Sequence, residues 1–269
     1  MTDKKISKER KPGSWQKTAI VLLYSLLGAI AFYTCFPIPH HWRLEFSGIA
    51  RWIVVVGLLI GGLLGLLDEG LAWVGMPLLT RSALIVAVWV GVTGGLHLDG
   101  AMDAADGLAV LDPQRRLQVM ADSHTGAFGV MAAVTILLLK TVALADMTSN
   151  RWLALMAAAG WGRWGQLVAI ARYPYLRPGG KGALHKAAIR SMGEVVPSLL
   201  LLLGLSGLQL YLQPAGWVSA IIIGLGGGAI AIATGAWFNH QLGGHTGDTY
   251  GATVEWTEVL LLCGLTIIL

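Results

Sequence analysis

Charged residues are scarce in this sequence, and their scarcity limits the class of protein. Only 13% of the 269 residues are charged, whereas 55% are hydrophobic and the mean hydropathy is +0.66. A soluble domain carries about 25% charged residues. The apolar runs leave little chain for a soluble core, so the composition favours an integral membrane protein.

Cysteine is also rare, and its placement excludes two kinds of site. The chain has two cysteines, Cys35 and Cys263, and both stand in apolar stretches. Neither has a metal-ligand or redox spacing around it, so we expect neither a cysteine-held metal nor a redox pair. Both are interpreted as small buried hydrophobic residues.

Long apolar runs are abundant, and they organise the chain. A bilayer core takes about 20 apolar residues per helix. The candidate helices are residues 18–36, 52–67, 79–96, 126–145, 152–171, 195–212, 215–238 and 254–269. The sequence therefore predicts an all-α fold, a polytopic helical bundle in the membrane. We predict a single transmembrane domain over residues 18–269, preceded by a basic tail over residues 1–17.

The polar connections indicate which way the bundle faces. The three longest are residues 97–125, 172–194 and 239–253. The connection over residues 172–194 holds five basic residues, and cytoplasmic connections are enriched in lysine and arginine. Counting spans from there places all three long connections on the cytoplasmic face. The opposite connections are short and nearly free of positive charge.

The N-terminal segment conflicts with this orientation. The tail carries Lys4, Lys5, Lys8, Arg10, Lys11 and Lys17. If residues 18–36 cross fully, the tail lies outside, against the positive-inside rule. Because Pro37 and Pro39 break the helix directly afterwards, we interpret this segment as re-entrant or interfacial, with the tail against anionic lipid headgroups. The bundle then has about seven spans; the alternative is an ordinary eighth span.

The strongest chemical signal is the motif GGLHLDGAMDAADG, residues 94–107. Asp99, Asp103 and Asp106 fall at about 0°, 40° and −20° around a helix, so they form one narrow stripe. Three like charges there are costly unless a cation lies among them, and carboxylates beside phosphates usually hold Mg²⁺. The alternative is a solvated helix end that merely carries acids. His97 lies on the other side of that helix, as a packing or supporting residue.

A second motif, LDPQRRLQVMADSHTG, covers residues 111–126. Asp112 followed by proline is typical of a helix N-cap with proline at the first helical position. The short helix presents Arg115 and Arg116, and arginine suits bidentate phosphate recognition. The positive-inside bias explains either arginine equally well. Asp122 stands at the membrane boundary on the same side and is a candidate fourth metal ligand.

A third motif, NHQLGGHTGDTYGATVEWTE, covers residues 239–258. Its glycines allow the backbone to approach a ligand closely, and Asp248 stands just before the last apolar helix. Glu255 and Glu258 lie in or at the edge of that helix, where an acid is a functional candidate by default. The alternative is a plain glycine-rich connection.

A fourth motif, RYPYLRPGGKG, covers residues 172–182 and combines Arg177 and Lys181 with two tyrosines and a glycine pair. Such a loop can grip an anionic nucleotide, although its basic residues also satisfy the topology rule without a ligand. Arg163 lies inside the preceding apolar run and needs an anionic partner. The aspartate cluster or a substrate phosphate can supply that partner.

At these motifs the sequence resembles the cobalamin synthase family, the adenosylcobinamide-GDP ribazoletransferases. The matching stretches run in family order: FYTCFPIPHHW, GGLHLDGAMDAADG, DPQRRLQVMADSHTGAFGV, RYPYLRPGGKG and GGHTGDTYGA. The combination is specific, because LHLDG followed by DxxDG and later by GGxTGD is not a generic membrane pattern. The chain departs from the family pattern beside the second motif, at Val110, Leu111, Ala121 and His124, which bears on the details of the phosphate contacts.

The resemblance implies a reaction. A hydroxyl of α-ribazole, or of its 5′-phosphate, attacks the phosphorus on the cobinamide side of adenosylcobinamide-GDP. GMP leaves, and adenosylcobalamin or its 5′-phosphate forms. The catalytic residues would be Asp99, Asp103, Asp106 and Asp248, and these four with Asp122 would hold the cofactor Mg²⁺. Asp248 either completes the metal site or acts as general base. The residues that would hold phosphate oxygens are Arg115, Arg116, Arg163, Arg177 and Lys181.

The same reading implies a location and a set of partners. We expect an enzyme of the cytoplasmic (inner) membrane, with its active site toward the cytoplasm. Its partners would be the two substrates and membrane lipid, and no nucleic acid. The sequence leaves the oligomeric state open, a homo-oligomer included.

Two other classes share some of these features. The opening DAADG resembles the CDP-alcohol phosphotransferase motif, but no Ala-Arg follows Gly107 and no GxxxDxxxD completes it. A transporter also places acids in membrane helices, usually near the bilayer midplane. Here the acids cluster at the predicted cytoplasmic ends of the spans, which favours an enzyme.

Overall fold

The computed structural model describes residues 14–180 and 182–269, and over these residues it is all-α, as predicted. The α-helices are α1 (Ser14–Tyr33), α2 (Ile53–Trp73), α3 (Leu78–Thr93), α4 (Leu96–Ala109), α5 (Pro113–Val119), α6 (Ala127–Asp146), α7 (Arg151–Arg172), α8 (Gly182–Ala188), α9 (Val196–Leu212), α10 (Trp217–Ile221), α11 (Gly227–Leu242) and α12 (Gly247–Leu265). Short 3₁₀ turns lead into α2 and α9, and a π-helical segment over Ile222–Gly226 joins α10 to α11. The predicted basic tail lies largely outside the described residues, as does Lys181.

The centre of the bundle is α7, which packs against α2, α11 and α12. A stripe of glycines on α2 makes its contact with α7 close. A Cβ atom at Gly57 would lie 2.5 Å from the carbonyl oxygen of Ala159, and one at Gly61 would lie 2.6 Å from the Cα atom of Met156. Small residues at such interfaces let the backbones of membrane helices approach, and dispersion contacts then hold them together.

A cluster of ionic side chains lies buried between α6, α7 and α12. The ammonium group of Lys140 donates to Glu255, at 2.7 Å, and to Glu258, and Arg163 donates to Glu258. None of the four side chains is more than 8% exposed. Two cations face two carboxylates, so the charges compensate inside the bundle, as buried ionic groups require.

The number of membrane spans is not settled by helix composition. Within the described residues, the stretches long and apolar enough to cross alone are Ile49–Trp73, Ala127–Asp146, Met192–Leu212 and Pro214–Leu242. The pair α3 and α4 meets the same criterion together, although it bends by 91°. The central helices α7 and α12 have 22 and 19 residues but carry the buried charges, which lower their apolar character. The prediction of about seven spans therefore stays a prediction.

Two side-chain contacts fix the middle and the end of α1 to other parts of the chain. The hydroxyl of Ser25 donates to the carbonyl oxygen of Ser47 at 3.2 Å, and the hydroxyl of Tyr33 lies 3.1 Å from Nε2 of His185. Ser47 lines the same surface depression as Arg190. Tyr33 therefore contacts the connection over residues 172–194 at one end of the bundle, and the interfacial interpretation of residues 18–36 stays a prediction.

The three long connections meet at that end, as predicted from the positions of the basic residues. The backbone of Leu176 donates to the carbonyl oxygen of His245 at 2.8 Å, and the backbone of His245 donates to Pro174 at 2.8 Å. The guanidinium group of Arg177 donates to the carbonyl oxygen of Leu117 at 2.6 Å. Hydrogen bonds thus join all three connections to one another at this end of the bundle.

The buried ionic cluster gives a prediction about stability. Replacing Lys140 with methionine leaves two buried carboxylates facing one cation, which we expect to cost about 3–5 kcal/mol of folding free energy. The measurement is denaturant unfolding in detergent, together with the yield of folded protein. The double variant Lys140→Met, Glu255→Gln keeps one cation and one anion and should recover part of the loss. Wild-type stability in the single variant would refute a stabilising role for the cluster.

Candidate active site

A cavity of about 420 Å³ opens at the end of the bundle where the long connections meet. It is lined by four of the five predicted metal ligands and by one predicted phosphate ligand: Asp99, Asp103, Asp122, Asp248 and Arg177. These residues come from α4, from the connection before α6, from α12 and from the loop after α7. The structure therefore brings together acids from three separate sequence motifs.

The turn between α3 and α4 aims the acids of α4 into the cavity. Gly94 and Gly95 both have positive φ, 60° and 68°, a conformation that glycine adopts without steric cost. The chain bends by 91° there, so α4 starts in a new direction. A Cβ atom at Gly100 would lie 2.6 Å from the carbonyl oxygen of Asp248. Only glycine at position 100 allows α4 to come this close to the start of α12.

The start of α12 holds Asp248 in place. Thr246 and Thr249 form a reciprocal capping box, which satisfies backbone donors of the first turn. The Oδ2 atom of Asp248 accepts hydrogen bonds from Arg177 Nη1 at 2.8 Å and from the Thr246 hydroxyl at 3.2 Å. Arg177 also reaches a backbone carbonyl just before the end of α5, so this arginine connects α5, its own loop and α12.

The charged side chains that line the cavity suit a divalent cation. The carboxylates of Asp99, Asp103 and Asp248 face the cavity against the single guanidinium group of Arg177. Within the described residues, no three acidic, histidine or cysteine side chains form a ready-made metal site. Mg²⁺ usually takes one or two carboxylates, keeps water and shares its remaining positions with substrate phosphates. Among the described residues, neither Asp99 nor Asp103 forms an ion pair with a basic side chain, which fits that mode of binding.

Asp106 has a different position from the one predicted. Its carboxylate accepts hydrogen bonds from the backbone nitrogens of Gly126, at 2.7 Å, and Gly129, at 2.8 Å. Both donors lie at the start of α6, where backbone N–H groups have no partner within the helix and a negative charge is favourable. Asp106 does not line the cavity. In this structure Asp106 therefore caps α6, and its roles as metal ligand and catalytic residue stay predictions.

The two arginines of α5 also lie away from the cavity. Arg116 donates to the carbonyl oxygens of Val110, at 3.1 Å, and Gln241, at 3.0 Å, and thereby ties α5 to the ends of α4 and α11. Arg115 is exposed. Asp112 caps α5 as predicted, because its side chain accepts from the backbone nitrogen of Gln114 at 3.0 Å.

The expected anionic partner of Arg163 was wrong. Arg163 does not line the cavity, and its partner is Glu258, in the buried ionic cluster. Glu255 and Glu258 likewise belong to that cluster rather than to the cavity lining. The predicted phosphate contact of Lys181 falls outside the described residues.

Asp122 stands at the mouth of the cavity with an unexpected partner. Its Oδ1 atom lies 2.6 Å from Nδ1 of His124, and the two side chains are 57% and 91% exposed. The hydrogen bond from His124 holds the pKa of the Asp122 carboxyl below its usual range, and the same contact raises the pKa of His124. Asp122 is therefore ionised at neutral pH and accessible to a ligand at the cavity mouth.

Sequence reasoning missed the aromatic side of the cavity. Tyr175 and Tyr250 stack with ring centroids 5.8 Å apart, and His245 stacks on Tyr250 at 5.4 Å. Burial lowers the pKa of His245 to about 4 and that of His185 to about 4, so both rings are neutral at pH 7. The tyrosines of RYPYLRPGGKG were a visible signal, but His185 had no motif of its own.

The position of Asp106 gives a prediction that separates a cap from a metal ligand. Asp106→Ala removes two hydrogen-bond acceptors and should destabilise the fold by about 1–2 kcal/mol. Asp106→Asn keeps one acceptor and should lose less. The measurement is the unfolding midpoint beside the Mg²⁺ dependence of activity. Unchanged stability with a greatly raised Mg²⁺ requirement would restore Asp106 as a metal ligand.

Comparison with known proteins shows a match over most of the chain. Residues 25–266 match the model of the family described as cobalamin-5-phosphate synthase. A Trichormus variabilis protein named adenosylcobinamide-GDP ribazoletransferase is 60% identical over 248 residues, which cover 92% of this chain and 98% of that protein. A Synechocystis protein of the same name is 50% identical over 250 residues, 91% of this chain and 95% of that protein. No solved structure shows a significant match.

Proposed function

The chain belongs to the cobalamin-5-phosphate synthase family, and we propose that it is a membrane-bound phosphotransferase acting on adenosylcobinamide-GDP. The acceptor is α-ribazole or its 5′-phosphate, and the products are adenosylcobalamin, or its 5′-phosphate, and GMP. This is the last step in assembling the nucleotide loop of cobalamin. The observation that carries the proposal is the cavity in which acids from three family motifs meet Arg177.

The reaction exchanges the phosphoanhydride bond of the pyrophosphate for a new phosphoester bond, and the acceptor hydroxyl gives up its proton. The acceptor hydroxyl forms a bond to the phosphorus on the cobinamide side, the bond from that phosphorus to the GMP oxygen breaks, and GMP leaves with the electron pair. Phosphoryl transfer depends mostly on positioning and on compensation of negative charge. The protein therefore has to hold a pyrophosphate beside its own carboxylates, which is the central electrostatic problem of this site.

Asp99 and Asp103 are the residues best placed to hold Mg²⁺, with Asp248 and Asp122 on neighbouring parts of the lining. When bound, the ion would compensate the charge of the pyrophosphate and of the departing GMP. Arg177 adds a fixed positive charge beside Asp248. Asp248 either completes the metal site or accepts the proton of the attacking hydroxyl, as the sequence suggested.

The position of the acids supports an enzyme over a transporter. A transporter usually binds its substrate near the bilayer midplane, whereas these acids lie at the end of the bundle, beside the polar connections. We propose that this end faces the cytoplasm of a bacterial inner membrane. The five basic residues of the connection over residues 172–194 support that orientation.

Orientation can be tested by cysteine labelling in a background without Cys35 and Cys263. Leu111 and Gly179 stand on the connections beside the cavity, and Tyr211 is 81% exposed at the far end of α9. Leu111→Cys and Gly179→Cys should react with an impermeant maleimide only when the cytoplasmic side is open. Tyr211→Cys should react from outside. Labelling of Leu111→Cys from outside would refute the proposed orientation.

Activity can be tested with purified protein in lipid, supplied with adenosylcobinamide-GDP, α-ribazole and Mg²⁺, by following GMP release. Asp99→Asn and Asp103→Asn should each lose at least about 100-fold in turnover, or about 2.7 kcal/mol of transition-state stabilisation. The matched control is Asp112→Asn, because asparagine caps a helix as well as aspartate does. Chelation should abolish activity and Mg²⁺ should restore it. Full activity after exhaustive chelation would overturn the metal assignment.

A further inference from the structure

The cavity has two chemically different sides. The acids and Arg177 form one of them. The uncharged polar and aromatic part of the lining, here called the neutral floor, is formed by His97, Gln166, Tyr175, His185 and Tyr250. No acidic, lysine or arginine side chain belongs to it among the described lining residues.

The neutral floor holds several buried polar atoms without a hydrogen-bond partner in the described part of the chain. These are both ring nitrogens of His97, Oε1 of Gln166, Nδ1 of His185 and the hydroxyl of Tyr250. Each of the four side chains is at most 4% exposed. Buried polar groups are nearly always paired in folded proteins, so such a concentration beside one cavity indicates a place where a ligand supplies the partners.

The helix packing fixes the floor rigidly. A Cβ atom at Gly251 would lie 2.9 Å from the carbonyl oxygen of His97, so α4 and α12 touch there through their backbones. Gln166 stands on the buried helix α7, and Tyr250 stacks between Tyr175 and His245. Preorganised hydrogen-bonding groups of this kind lose little entropy when a ligand binds.

We propose that the neutral floor is the binding site of the nucleoside acceptor, and this inference rests on the proposed function. The flat heteroaromatic base lies against the ring of Tyr175, and the polar atoms of the nucleoside pair with His97, Gln166 and the hydroxyl of Tyr250. Because the nucleoside is neutral, moving it from water into this site carries no cost of desolvating a charge. The pyrophosphate of the other substrate belongs on the acidic side, where a cation and Arg177 compensate it.

The inference also assigns His97 a new role. The sequence suggested a packing or supporting residue, but a packing histidine would satisfy at least one ring nitrogen. Both nitrogens of His97 are free to meet a ligand within the described structure. The cavity, about 420 Å³, is in the size range of small-molecule sites.

The test is a comparison of the two Michaelis constants. Tyr250→Phe and Gln166→Leu each remove one floor contact, and each should raise the KM for α-ribazole about tenfold, the effect of losing about 1.4 kcal/mol of binding. The KM for adenosylcobinamide-GDP should stay within about twofold of wild type, since its phosphates bind elsewhere. A rise confined to the adenosylcobinamide-GDP constant, or no change in either constant, overturns the proposal.

The matched control is Thr257→Val. Thr257 lies on the same helix as Tyr250, is 0% exposed and has a hydroxyl without a partner in the described chain, but it does not line the cavity. Its replacement removes a buried hydroxyl as Tyr250→Phe does, and both Michaelis constants should stay at wild-type values. An equal rise in the α-ribazole constant for Thr257→Val would show a general loss of packing and overturn the assignment.

Direct binding separates this inference from the proposed function. Calorimetric titration of α-ribazole into wild-type protein in lipid nanodiscs, with GDP and Mg²⁺ present, should show binding that Tyr250→Phe weakens about tenfold. Binding without any release of GMP in the assay would leave the floor assignment standing and refute the proposed reaction. Absence of α-ribazole binding to the wild-type protein would overturn the floor assignment itself.

Discussion

Four buried ionic side chains hold α6, α7 and α12 together, and the cavity depends on their arrangement. Lys140, Arg163, Glu255 and Glu258 pair with one another inside the bundle, so sliding one helix past another would leave a buried charge unpaired. The same three helices lead directly into the site. Asp248 stands in the first turn of α12, α7 continues into the loop of Arg177, and α6 starts at the backbone donors that Asp106 caps.

The position of α4 is fixed in turn by close backbone packing against α12. Glycines at positions 100 and 251 bring α4 and α12 into contact beside the cavity, while Asp106 fixes the far end of α4 to α6. The helix that carries Asp99 and Asp103 is therefore held from two directions. Such rigidity suits phosphoryl transfer, because the protein contributes mainly position and compensating charge.

The membrane context explains the separation of charges in the fold. Ionic groups inside the bundle compensate one another, whereas the acids of the cavity stand at the end where the polar connections meet. A phosphorylated substrate can reach that end from water. The match to the cobalamin-5-phosphate synthase family over residues 25–266 fits this design of an enzyme with a membrane-embedded frame and an active site at its surface.

The sequence by itself determined a large part of this description. Apolar runs gave the helical membrane bundle, basic residues placed the three connections at one end, and the motifs pointed to the family and its reaction. Asp112 was recognisable as a helix cap because capping involves only the residues next to it in the chain. The number of spans did not follow from the sequence, because the buried charges of α7 and α12 lower the apolar character of these two helices.

Only the tertiary structure decided how the candidate residues divide between chemistry and support. Helical periodicity fixes the angle at which Asp99, Asp103 and Asp106 leave their own helix, but it says nothing about which neighbour stands at that angle. In the folded bundle the cavity lies beside Asp99 and Asp103, whereas the start of α6 lies beside Asp106. It likewise gave Arg163 a glutamate 95 residues away in the chain and brought His97, Gln166 and Tyr250 to one floor, because contacts between distant helices are set by the shape of the whole bundle.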